Sequence, residues 1–67
     1  MTDVGPRLRR LRQAKGWAQW QMGERCGVAQ SKISEIERGK RMPGVRILMR
    51  LCAALRVRLK VKLVEID

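Results

Sequence analysis

Apolar residues recur along most of the chain at helical spacing. Val4, Leu8, Leu11 and Ala14 fall three and four positions apart, which lines them along one side of a first helix. Pro6 suits its first turn, where a missing N–H does no harm, and Lys15-Gly16 supplies the glycine that ends it. Trp17 and Met22 open a second apolar series, closed by Cys26 and Gly27. Val28, Ile33 and Ile36 define a third helix that stops at Arg38-Gly39. After the basic loop KRMPG, Pro43-Gly44 starts a fourth helix with Val45, Leu48, Leu51, Cys52 and Leu55 expected inside. The period then changes. Leu55, Val57, Leu59, Val61 and Leu63 alternate with Arg56, Arg58, Lys60 and Lys62, the repeat of a β-strand with one buried face. The expected organisation is a helical domain over residues 1–56 and a strand over 57–67.

The stretch QWQMGERCGVAQSKISEIER, from Gln19 to Arg38, meets the conditions for two short helices packed steeply across a tight turn. Gly23 is small enough for the contact between them, and Gly27 accepts the positive φ of the turn. Met22, Cys26, Val28, Ile33 and Ile36 have the spacing that holds the angle from inside. Together these positions form a helix-turn-helix pattern.

The segment from LRRLRQAKGWAQWQMGERCGVAQSKISEIERGKRMPG to LMRLCAAL resembles the lambda-repressor-like family, of the Cro/C1 or XRE type, over roughly Val4 to Val57. The resemblance implies a mainly α DNA-binding domain of four to five helices. In that family the second helix of the pair enters the major groove and its early residues touch base edges. Carried over by position, Gln30, Ser31, Ser34 and Glu35 are the candidate base readers, with Lys32 beside them. A glutamine amide such as that of Gln30 matches adenine, and a carboxylate such as that of Glu35 accepts from cytosine. Gln19 matches the family glutamine that holds a phosphate, and Arg38, Lys40 and Arg41 would lie along the DNA backbone. Arg12 and Glu37 match a structural salt bridge between the first helix and the end of the third. Three positions depart from the pattern. Ala18 and Ala29 replace the usual capping Ser or Thr, at about 1 kcal/mol each, and Arg56 replaces a terminal glycine.

Charge sharpens this picture. Sixteen Lys and Arg against six Asp and Glu leave a net charge of +10, which favours a polyanionic partner. The cations are spread along the chain rather than gathered on one amphipathic face, so nucleic acid is favoured over a membrane surface. No apolar run is long enough to span a bilayer, and Met1–Arg10 lacks a signal-peptide core. A cytoplasmic, nucleoid-associated location is expected. Cys26 and Cys52 fall at apolar positions and read as buried thiols. Histidine is absent; no nucleophile–base pair, metal cluster or phosphate loop stands out. Neither enzyme activity, nor a cofactor, nor a metal is expected. Trp17 takes a core position, whereas Trp20, between two glutamines on the outer side of its helix, is either a chance surface residue or an anchor for a protein contact.

A helical domain offers the tail no partner strand. Pairing with the tail of a second copy would give an antiparallel ribbon across a two-fold axis, with Val57, Leu59, Val61 and Leu63 on its apolar face. That arrangement resembles HipB-type antitoxins, whose resemblance also implies a HipA-type kinase toxin as partner. The expected function is that of a homodimeric repressor on a palindromic operator in double-stranded DNA, an autoregulating antitoxin of a toxin–antitoxin module. The alternatives are a phage-type repressor or a restriction-modification controller without a toxin.

Overall fold

The computed structural model describes residues 4–58. Four helices follow in order: α1 (Val4–Ala14), α2 (Gln19–Cys26), α3 (Gln30–Glu37) and α4 (Val45–Leu55). The helices α2 and α3 have eight residues each. That is too short to persist alone in water, so packing holds them. Leu8 of α1, Met22 and Cys26 of α2, Ile33 and Ile36 of α3, and Leu51 and Leu55 of α4 meet in one core, joined by Val28 from the turn. Trp17 packs half-buried against this core, and the Arg25 guanidinium lies 4.4 Å from its ring centroid. One face of the indole is thus covered by a cation–π contact.

Two glycines let helices approach closely. A Cβ on Gly23 would sit 2.6 Å from the Val28 carbonyl oxygen, so the turn can fold back on α2 because that atom is missing. Gly5 does the same for α1 against α3: a Cβ there would collide with the Ile36 carbonyl oxygen and lie 2.8 Å from that of Glu37. Gly27 closes α2 in the left-handed region, at φ 68 and ψ 34, with its N–H donated to the Gly23 carbonyl. An L side chain at that φ meets its own carbonyl. Gly27→Ala is expected to lower stability by about 1 kcal/mol, read as a fall in the urea midpoint at unchanged slope.

The helical stripes extend less far than their periodicity suggests. Ala14 is exposed at the end of α1. Val45 is 69% exposed, because at the first position of α4 the helix has not yet reached the core. Inward contact starts at Ile47, which packs against the core, and becomes complete at Leu51 and Leu55. Val45 instead joins Met42 and Met49 among the exposed large apolar residues.

Arg56 ends α4 at φ 58 and ψ 41, a non-glycine residue in the left-handed region. The Val57 N–H then bonds to the Cys52 carbonyl at 3.0 Å, and Val57 packs against its own core. Neither Val57 nor Arg58 forms a strand. The remaining expected dimer-strand residues, Leu59, Val61 and Leu63, lie outside the described residues.

Cys26 and Cys52 are buried free thiols. Desolvation pushes the Cys26 pKa up, which withholds the reactive thiolate. A thiol reagent at mildly alkaline pH is therefore expected to modify Cys26 at a rate that tracks opening of the domain, not the intrinsic rate of a free thiol. Labelling of the native protein as fast as of the urea-unfolded chain would contradict this.

Candidate nucleic-acid interface

On α3, Ile33 and Ile36 point into the core while Ser31, Ser34 and Glu35 lie away from them, and Gln30, one turn before Ile33, is exposed at the helix start. Gln30 and Ser31 are exposed in the first turn, and Lys32, Ser34 and Glu35 are partly covered. The helix is thus locked by one face and presents polar groups on the other. With Ala at positions 18 and 29, no side chain caps the start of α2 or α3. At α2 the Gln21 side-chain oxygen partly compensates by accepting the Ala18 N–H at 2.7 Å.

The loop after α3 is shaped by a Schellman closure. The Gly39 N–H bonds to the Ile36 carbonyl at 3.1 Å and the Lys40 N–H to the Glu35 carbonyl at 2.9 Å. Gly39 takes the positive φ, 76, that this closure needs. The chain therefore turns sharply after α3 and carries three exposed cations, Arg38, Lys40 and Arg41, of which Arg38 and Arg41 reach back to the helix. Arg38 Nε donates to the Ser34 carbonyl at 3.4 Å. Arg41 Nε lies 3.5 Å from Glu35 Oε1. These residues gather cations beside the second half of α3, and Lys32 adds one in its first turn.

Arg12 and Glu37 form a buried pair, with Nε to Oε2 at 2.7 Å and Nη2 to Oε1 at 3.0 Å. Arg12 Nη1 also donates to the Trp17 carbonyl at 2.6 Å. This guanidinium therefore ties α1, the chain before α2 and the last turn of α3 together. Gln19 joins them: its Nε2 donates to Glu37 Oε1 at 3.1 Å. The side chain expected on a phosphate is here a link to the carboxylate that anchors α3. Nothing local in the sequence announces that link, since the two residues are brought together only by the turn.

Trp20 is 53% exposed. It lines an open depression together with Gly23, Gly27, Ala29 and Gln30. The outward placement expected from its flanking glutamines is what the helix produces.

A family model described as a helix-turn-helix domain matches residues 3–61. An uncharacterized HTH-type transcriptional regulator, y4dJ, of Sinorhizobium fredii is 43% identical over 54 residues, covering 81% of this chain and 70% of that protein. Among solved structures, the restriction-modification controller protein C.AhdI from Aeromonas hydrophila superposes with a TM-score of 0.82 at 33% identity, over 85% of this chain and 86% of that one. The turn geometry at Gly23 and Gly27, the polar face of α3 and these matches agree, and the chain belongs to the helix-turn-helix family of the Cro/C1, XRE-like type.

Proposed function

We propose that this protein is a sequence-specific transcriptional regulator that binds double-stranded DNA through α3, as a repressor on a palindromic operator. One observation carries the reading. The helix whose inner face is fixed by Ile33 and Ile36 presents Gln30 and Ser31 to solvent, and the loop that follows it carries exposed cations. Base edges are read by such uncharged amides and hydroxyls, while Lys and Arg at the rim neutralise phosphate. None of the described helices is long and apolar enough to cross a membrane.

Gln30→Ala is expected to reduce affinity for the preferred site by about 1–3 kcal/mol and to relax base preference at one position. Lys40→Ala should weaken all sequences alike and lower the salt slope by about one. Fluorescence anisotropy on the preferred duplex and on a scrambled one separates the two effects. Equal losses on both duplexes for both variants would refute the assignment of α3 as the reading helix.

The likeness to C.AhdI supports a controller-type setting. The antitoxin setting, with a HipA-type kinase as partner, rests on the tail and predicts recovery of that kinase with the intact chain. A homodimer held by the tail ribbon is tested by light scattering on the intact chain and on one stopped at Arg56. A dimer that becomes a monomer on truncation supports the ribbon.

A further inference from the structure

Two residues with different tasks at the proposed interface are bound to each other. Glu35 sits on the base-facing side of α3, Arg41 on the rim, and their charged groups lie 3.5 Å apart in the free protein. The contact is built into the backbone, because the Schellman closure at Gly39 returns the chain along α3 and carries Arg41 past Glu35. It is also exposed, with side-chain accessibilities of 50% for Arg41 and 38% for Glu35, so it is weak enough to break. Among the described carboxylates, Glu37 is buried against Arg12, and Glu24 lies on α2 beside the Trp20 depression. Glu35 is the one placed on the polar face of α3.

Resting on the DNA-binding reading, we propose that Glu35 is a specificity gate that acts through Arg41. A site that places the major-groove amino group of a cytosine or adenine within reach of Glu35 gives its carboxylate a donor. Arg41 is then released to a phosphate. On a site that instead sets guanine or thymine acceptors at that position, the carboxylate keeps Arg41 as its partner and the phosphate contact is withheld. A rim cation, ordinarily indifferent to sequence, thereby contributes mainly on the correct site. Discrimination gains at both ends: a contact is added on the right sequence and denied on the wrong ones.

The test begins with selection of a preferred duplex from a random library by the wild-type chain, followed by anisotropy at low salt on that duplex and a scrambled one. Glu35→Gln is nearly isosteric and removes the charge. It should strengthen binding to scrambled DNA by about two- to fivefold, the range of an exposed ion pair, and weaken the preferred duplex. In an Arg41→Ala background the same change should lose most of that gain. Arg41→Ala alone should weaken the preferred duplex more than the scrambled one. An undiminished gain in the Arg41→Ala background would mean that Glu35 acts through its general field, and the gate would be overturned. No gain on scrambled DNA would overturn it as well. Failure of the selection to enrich any sequence would instead remove the DNA-reading proposal, and the gate with it.

Discussion

Glu37→Ala is expected to lower the stability of the domain by about 3–5 kcal/mol, because it leaves the Arg12 guanidinium buried without its counter-ion. Arg12 and Glu37 are 8% and 7% exposed, so water cannot replace the missing partner. Small domains are commonly stable by only about 5–15 kcal/mol, and a loss of this size leaves a substantial unfolded fraction. Urea unfolding followed by Trp17 fluorescence would measure it. The buried pair is not itself a large source of stability, since desolvation offsets most of its attraction. Replacing both members together, as Arg12→Met with Glu37→Leu, should therefore recover much of the loss. If the double replacement were as unstable as Glu37→Ala, the pair would be supplying more than mutual neutralisation. The link from Gln19 to the same carboxylate is the place to look next.

The second large effect is steric. Gly5→Val is expected to destabilise by about 3 kcal/mol, at the upper end of ordinary overpacking, because the obstacle is backbone rather than a flexible side chain. The carbonyls of Ile36 and Glu37 are the atoms a side chain at position 5 would meet. They belong to the last turn of α3, so the displaced helix is the candidate reading helix. A thermal melt compared with Gly44→Val makes the control. Gly44 has open space around it and an ordinary φ of −68, so its substitution tests the loss of a glycine without the clash. Equal losses from the two variants would show that close approach of α1 to α3 is not what Gly5 provides.

The helices were legible because their apolar residues repeat at the period of the structure that buries them. Met22, Cys26, Val28, Ile33 and Ile36 are all buried where their spacing placed them. Gly23 and Gly27 were readable because their roles arise within one turn. Period alone does not say where along a helix the core begins, so Val45, on the right stripe but at the first position of α4, is exposed. Gly5 left no signal. Its small size matters only because of carbonyls in α3, far away in the chain, and a glycine near a helix start otherwise reads as punctuation. Gln19 was equally opaque in its bond to Glu37, since any polar residue at a helix start suits solvent, phosphate or a distant carboxylate. The Arg12–Glu37 geometry, in contrast, is what the family resemblance implied for these two positions.

The alanines at positions 18 and 29 have a consequence for motion. A helix whose first turn lacks a side-chain acceptor opens there at lower free energy than in its middle. Both starts lie on the helix-turn-helix and lack a capping side chain at the N-cap, α2 keeping only the Gln21 bond to the Ala18 N–H. Amide hydrogens in these first turns should exchange with solvent well before those of Leu51 or Leu55, whose side chains are 1% and 2% exposed in the core. The molecule is therefore expected to be stiff at its centre and loose at the starts of α2 and α3, so that the slowest protons to leave are those of the core of α4.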